Sequence, residues 1–373
     1  VGKHYEDRIN RFRQLIQAEN LDGFLISNGK NRRYLSRFTG EDTQMDESSG
    51  SLIITQNKLI LATDSRYTEQ ARQEAPLYEV VEYKTGLAKE LPDILSGLSI
   101  RRLGFESSRL AVSQYEDIQK ELREKGLDIE LVAARELTEN IRAKKDEYEI
   151  DCTRKALAMA ETAFVRVLEF IKPGMTEREV AWELEVRMRA EGADGMSFPV
   201  ICASGPNSAL PHAIPGDRII NANEPIVFDW GARYKGYCSD TTRTIVLGKP
   251  DDELKKIHQT VREAQLLAIE AIKAGANGKD VDRIARDHIE KTGYKDRFGH
   301  GLGHGTGLAI HEGPRLSPLS TSILAPGMIV TVEPGIYIPG WGGVRIEHQV
   351  VVREKGAEIL NSLSTTICFD ETA

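Results

Sequence analysis

The chain has 373 residues, 40% hydrophobic and 28% charged, a balance that supports two packed domains and excludes a fibrous or largely disordered chain. Its formal net charge of -8 argues against a general nucleic-acid binder. There is no apolar run of about 18 residues, residues 1–20 are too charged for a signal-peptide core, and Cys152, Cys202, Cys238 and Cys368 form no CxxC pair, so a cytoplasmic protein with four free thiols and no membrane partner is expected.

Residues 5–19 put Ile9, Phe12, Leu15 and Ile16 on one side of a helix. GFLISN (23–28) reads as a strand, and SLIIT (51–55) with KLILAT (58–63) as a hairpin across Gln56-Asn57. A short helix over 64–75 with polar capping residues, a strand at 80–83, a helix near 86–96, a strand at 103–106, a helix at 113–125 and a strand at 128–132 follow. Alternating strands and helices predict an α/β domain over 1–133. The charged stretch 135–150 reads as a short linker entering a long helix, and a second domain is expected over 140–373.

That second part carries a weak internal repeat. EFIKPGMTEREV (169–180) precedes EAIKAGANGKDV (270–281) by 101 residues, and Ile171/Ile272, Lys172/Lys273, Gly174/Gly275, Val180/Val281 and Gly192/Gly293 keep that offset. Each copy reads as a helix ending in Lys-x-Gly, then a second helix stopped by Gly. Each half then delivers two carboxylates. IVFDWGARYKGYCSDTTRTIVLG (226–248) reads as two strands turning near Tyr234-Lys235, which sets Asp229 opposite Asp240 on one face. MIVTVEPGIYIPGWGGVRIEHQVVV (328–352) repeats the device, with Glu333 and Glu347 symmetric about Gly340.

Four carboxylates in apolar strands are costly unless cations or strong donors satisfy them, and internal salt bridges are the competing structural explanation. Three of the eight histidines, His300, His304 and His311, fall in the glycine-rich RFGHGLGHGTGLAIHEGP (297–314), whose backbone can turn tightly beside a site. One imidazole with four carboxylates suits a pair of divalent ions, Mn, Co, Zn or Fe(II), and a single ion is the alternative. The glycine loop lacks the pattern of a phosphate-binding P-loop, and there is no HExxH. His4, His258 and His288 read as surface or helix residues, and His348 as facing away from Glu347.

The sequence resembles the creatinase, prolidase and methionine aminopeptidase superfamily, metallopeptidase family M24. The likeness rests on DWGARYKGYCSDTTRT (229–244), GHGLGHGTGLAIHE (299–312), GMIVTVEPGIY (327–337) and GVRIEH (343–348). RRYLSRFTG (32–40) and TDSRYTEQA (63–71) resemble its creatinase-type N-terminal domain. The resemblance implies an α/β N-terminal domain and an α+β pita-bread catalytic domain with a pseudo-twofold repeat. It implies metal ligands Asp229, Asp240, His304, Glu333 and Glu347, with Asp229 bidentate and Asp240 and Glu347 bridging. The retention of all five separates the chain from creatinase. It also implies two divalent ions, Mn first and Co, Zn or Fe otherwise, and a homodimer whose N-terminal domain limits the substrate entrance. EDTQMDESSG (41–50) departs from the short glycine-serine link expected there and could alter that entrance or the oligomer contact.

The likeness is nearest to the Xaa-Pro branch. It implies a metal-bridged water as nucleophile, Glu333 as proton shuttle, His311 and His212 as donors to the developing oxyanion, and His300 near the imino-acid side. Arg345 is either a substrate contact or a salt bridge holding a nearby acid. The expected substrate is a peptide or dipeptide with proline second. Aminopeptidase activity is the first expectation, on the GYCSDTTRT context, and prolidase the alternative. A small-amide hydrolase and a non-catalytic binding module on the same fold are the remaining readings.

Overall fold

A computed structural model describes residues 2–42, 44 and 47–367, and the chain divides into two compact units, Val1–Arg142 and Ala143–Ala373. The first is a mixed sheet with helices. Its strands are β1 (Gly23–Ile26), β2 (Ser51–Thr55), β3 (Leu59–Thr63), β4 (Glu79–Glu82), β5 (Arg102–Glu106) and β6 (Glu130–Ala134), in the order β4-β3-β2-β1-β5-β6. The β2–β3 hairpin is antiparallel, while β5 runs parallel to β1 and β6. Helix α1 (Lys3–Ala18) buries Ile9, Phe12 and Ile16, the stripe its periodicity indicates.

Helix α2 (Gly29–Ser36) is not foreshadowed by apolar periodicity, because it buries Asn31, Arg32 and Ser36 along with the adjacent pair Tyr34 and Leu35, which gives no helical spacing of apolar residues. Asn28 caps it, accepting from the Lys30 and Asn31 amides. Arg32 is neutralised by Asp42 at 3.0 Å and donates to the Gly40 and Gly50 carbonyls. The acidic segment therefore turns Asp42 inward rather than toward solvent; Thr43, Met45 and Asp46 lie outside the described residues. Helix α3 (Thr68–Glu74) starts later than expected because Asp64 closes a turn onto the Arg66 amide and guanidinium. Helices α4 (Leu87–Leu95) and α5 (Val112–Glu124) follow the pattern of the sequence.

The stretch 135–150 is not one helix. It breaks at residues 144–146 between α6 (Leu137–Ala143) and α7 (Glu147–Leu168). Asp146 caps α7 in a capping box with Glu149, each side chain accepting from the other's amide.

In the second unit α7 and α8 (Glu177–Ala190) are repeated by α9 (Asp252–Ala271) and α10 (Gly278–Lys291). The first helix of each pair stops before its Lys-x-Gly, which forms the following turn with Gly174 at φ 97° and Gly275 at φ 83°. Thr176 and Asn277, 101 residues apart, both cap a second helix and both form an isolated bridge, to Ile219 and Ile323. The strands are β7 (Gly195–Met196), β8 (Ile201–Ser204), β9 (Pro225–Trp230), β10 (Ala232–Tyr234), β11 (Tyr237–Cys238), β12 (Thr241–Val246), β13 (Gly303–Gly305), β14 (Glu312–Leu316), β15 (Ile329–Val332), β16 (Gly335–Ile338), β17 (Gly342–Arg345), β18 (His348–Val352) and β19 (Ala357–Ile359). They form sheets β12-β9-β8, β11-β10-β7, β14-β13-β15-β18-β19 and β16-β17.

Each half has its own apolar core. One is built around Phe164, Phe228 and Trp230, the other around Ile257, Val261, Val332 and Ile346. Cys152, Cys202 and Cys238 are buried, and Cys368 lies outside the described residues. Among the described residues no helix is long and apolar enough to cross a membrane.

Candidate metal centre

The first carboxylate pair is assembled differently from the simple hairpin. β9 and β12 pair with Asp229 opposite Thr242, so Asp240 sits two residues beyond the direct partner of Asp229. Between them β10 and β11 form a separate small hairpin that turns at Lys235-Gly236, both at positive φ. A register shift of two preserves the alternation of faces, so both carboxylates still reach one side. In the second half the symmetry about Gly340 is the observed register. Val332 pairs with His348 and Gly335 with Arg345, and continuing either ladder sets Glu333 opposite Glu347.

Asp229, Asp240 and Glu347 each bring a carboxylate oxygen to within 4.8 Å of one another. His304, centred on β13, reaches Glu333 at 3.3 Å and Asp240 at 3.7 Å through Nε2. Two groups of three therefore share Asp240. Thr242 donates to Glu347 at 2.8 Å, and Thr331 donates to Glu333 at 3.1 Å while accepting the His304 amide.

The electrostatics call for cations. Burial, then the charges of Glu347, Asp229 and Glu333, push Asp240 well above the usual carboxylate range. Burial, then Glu333 and Asp229, do the same to Glu347. Burial also raises Asp229, against the pull of Arg345. Burial opposes ionisation of Glu333 too, but the His304 hydrogen bond and the charges of His304, His300 and Arg345 outweigh it and bring it to about 2. Asp229 Oδ1 and Glu347 Oε1 are buried with no hydrogen-bond partner among the described residues. Partnerless oxygens in a cluster of repelling carboxylates, with one imidazole, fit divalent cations.

The centre opens on a cavity of about 670 Å³ lined by Asp229, Asp240, His304 and Glu333, by His212, His300, His311 and Arg345, and by apolar residues including Phe198 and Ile310. Glu347 does not line it and stands behind Asp229 and Asp240. His311 packs edge-on to His304 with ring centroids 4.4 Å apart. Burial, then His304 and Arg315, lower it to about 4.

Arg345 is fully committed within the protein. Its guanidinium donates to Asp229 at 2.8 Å, Thr242 at 3.1 Å, Tyr337 at 2.9 Å and the Pro211 carbonyl at 3.1 Å, beside His212. This is the salt-bridge geometry, with Asp229 as the acid. Since Tyr337 accepts from Arg345, its own hydroxyl proton is available to His300 Nε2, 2.9 Å away. His300 Nδ1 faces the Gly301 carbonyl, which only accepts. Both His300 nitrogens are thus occupied in the neutral ring, consistent with a pKa lowered by burial.

The profile of metallopeptidase family M24 matches residues 151–354, and that of the creatinase/prolidase N-terminal domain matches residues 8–144. The chain belongs to metallopeptidase family M24. An Xaa-Pro dipeptidase from Pyrococcus furiosus is 37% identical over 95% of this chain and 97% of its own. The structure of an Xaa-Pro dipeptidase from Bacillus anthracis superposes with a TM-score of 0.91 at 41% identity, covering 98% of this chain and 99% of that one. An X-Pro aminopeptidase from Thermotoga maritima gives 0.87 at 40% identity, covering 96% and 99%. The M24 chain is thus an enzyme, a divalent-metal peptidase with a creatinase-type N-terminal domain and a pita-bread catalytic domain.

Sequence reasoning about this M24 chain missed Thr242, Tyr337 and Arg315. Thr242 lies two residues past Asp240, and Tyr337 pairs with Gly343, on the same alternation as Glu333 and Arg345. Strand parity alone could have found both. Arg315 is opposite His304 on β14 and lines the cavity, which only the fold reveals.

Proposed function

We propose that the protein is an Xaa-Pro dipeptidase using two divalent cations held by Asp229, Asp240, His304, Glu333 and Glu347. The supporting observation is the pair of ligand groups sharing Asp240, opening on a cavity that also holds Arg315, whose guanidinium makes no hydrogen bond or ion pair among the described residues. A free cation this close to the centre suits the terminal carboxylate of a dipeptide, which a longer peptide does not present at proline. The GYCSDTTRT segment, which points toward an aminopeptidase, is silent about how the cleft ends. The dipeptidases of P. furiosus and B. anthracis add to the dipeptidase reading. The T. maritima aminopeptidase keeps the longer substrate as the second reading.

When bound, the cations would supply Lewis-acid activation of water and polarisation of the scissile carbonyl. Glu333, kept ionised, is the proton acceptor, and can return the proton to the proline nitrogen as the bond opens. His311, neutral at pH 7, donates a hydrogen bond to the carbonyl oxygen, and His212 lines the same cavity for that purpose. His300 offers its ring rather than a free N–H, a contact suited to the apolar pyrrolidine. Proline brings no amide hydrogen for the site to satisfy.

The test is hydrolysis of Ala-Pro against Ala-Pro-Ala by protein loaded with Mn²⁺. The dipeptide is expected to be the better substrate, and Arg315→Met to raise its KM about 10-fold or more with little change for Ala-Pro-amide. Equal cleavage of the tripeptide would establish the aminopeptidase reading instead. No cleavage of either by metal-loaded protein would favour the small-amide or binding-module readings.

A further inference from the structure

The two carboxylate pairs are not built alike. In the first half the β9–β12 ladder runs unbroken through Asp229 to Trp230. In the second half it opens where the acids sit: β15–β18 pairing ends at Val332–His348, and β16–β17 pairing resumes at Gly335–Arg345 in a different sheet. In that gap the Glu333 amide turns away to the Leu302 carbonyl and the Glu347 amide to the Thr242 carbonyl. Across that gap the backbones keep one long hydrogen bond, from the Ile346 amide to the Pro334 carbonyl at 3.4 Å, so the ladder is weakest at the residues whose spacing matters most.

One side chain reinforces this weak join. Gln265, on α9 and completely buried, donates Nε2 to the Val332 carbonyl at 2.9 Å and to the Ile346 carbonyl at 3.1 Å. Val332 and Ile346 immediately precede Glu333 and Glu347. Two carbonyl acceptors fix the orientation of the amide, since only the NH2 can serve both. Its oxygen is buried without a partner among the described residues, so the group is held for its donors. The helix repeat sharpens the point. The position 101 residues earlier is Phe164, whose ring stacks on Trp230 at 4.2 Å and meets Phe228 edge-on at 5.2 Å, the two neighbours of Asp229. Where the ladder is intact, this position contributes only ring packing, and the helix's one polar tie to the strand among the described residues is the Ala160 carbonyl accepting the Trp230 indole N–H at 2.9 Å; where the ladder is open, the same position contributes a two-pronged donor.

We infer that Gln265 is a positioning residue that sets the distance between Glu333 and Glu347 by tying together the backbones that carry them. The inference rests on the two-cation reading. One cation can be held by either group of three after a small adjustment. Both can be held only if Glu333 and Glu347 keep a fixed separation across the shared Asp240. Gln265 therefore governs uptake of the second cation.

The experiment is calorimetric titration of metal-stripped full-length protein with Mn²⁺, alongside thermal unfolding. Gln265→Leu removes both donors at similar volume, and Gln265→Asn keeps an amide but draws it back from the carbonyls; the second variant carries the test if the first does not fold. Val261→Ala, one turn earlier and equally buried, is the destabilised control. Both Gln265 variants are expected to weaken the second Mn²⁺ by about 10–100-fold while the first stays within a few fold. Val261→Ala should lower Tm and leave both affinities unchanged. Wild-type affinities in the Gln265 variants, or an equal loss in Val261→Ala, would overturn the inference alone. A wild-type protein that takes up fewer than two cations would overturn the two-cation reading with it.

Discussion

His258, on the inner side of α9, is held in its neutral form. Burial, then the charges of Arg262 and Arg243, lower it to about 4 from 6.5, and its Nε2 has no partner among the described residues. Above pH 6.5 the imidazole is neutral in both folded and unfolded chains and adds no pH dependence. As pH falls from 6.5 toward 4 the unfolded chain takes up the proton and the folded one does not, so stability is lost, by about 2 kcal/mol at pH 5 and roughly 3 kcal/mol at pH 4. His258→Leu should remove this share, and urea midpoints at pH 7 and pH 5 should lie closer together than in the wild type. An unchanged gap would show that His258 is not kept neutral by the fold. The sequence identified this residue only as belonging to a helix. Its burial depends on which helix face meets the sheet and on two arginines, Arg243 of which comes from β12.

The segment carrying His304 shows how an element serves the centre. The glycines around it were expected to be needed for turning, yet neither Gly303 nor Gly305 has a positive φ. They are needed for close approach. A Cβ on Gly303 would collide with the Thr331 carbonyl oxygen, and one on Gly305 with that of Gly313. Gly303→Ala should push β13 off β15, move His304 from Glu333 and Asp240, and reduce kcat/KM by about 100-fold. Peptidase assays with a parallel Tm measurement check this; near-normal activity would mean that β13 has slack. Much of this level was legible. The symmetry about Gly340 is the register of two successive ladders, because a turn of fixed length leaves little freedom. The Asp229–Asp240 hairpin was legible only in parity, since the inserted β10–β11 turn shifts the register by two. α2 was illegible because it buries polar Asn31, Arg32 and Ser36 beside a lone adjacent apolar pair, Tyr34 and Leu35.

At the scale of the molecule, the sequence disclosed the duplication through helix ends and capping positions, where local chemistry repeats. It shows Phe164 standing opposite Gln265 at that offset but could not disclose what the difference does, because that answers to strand pairing far along the chain. The acids of both copies meet within one unit, Ala143–Ala373, and the other unit contributes none of the five proposed ligands. Cations should accordingly stabilise one unit only. Without them, the buried carboxylates repel and take up protons; with them, binding to the folded state adds about 2.7 kcal/mol per site at a hundredfold excess over Kd. For a unit of this size each site should raise its transition by about 5–10 °C. Calorimetry of chelator-treated protein, before and after adding Mn²⁺, should resolve a metal-sensitive transition that climbs and a second that stays in place. The residues 1–142 expressed alone would identify the latter by its matching Tm. A shift of both transitions would mean that the two units unfold as one, and a shift of neither would remove the cations from the folded state.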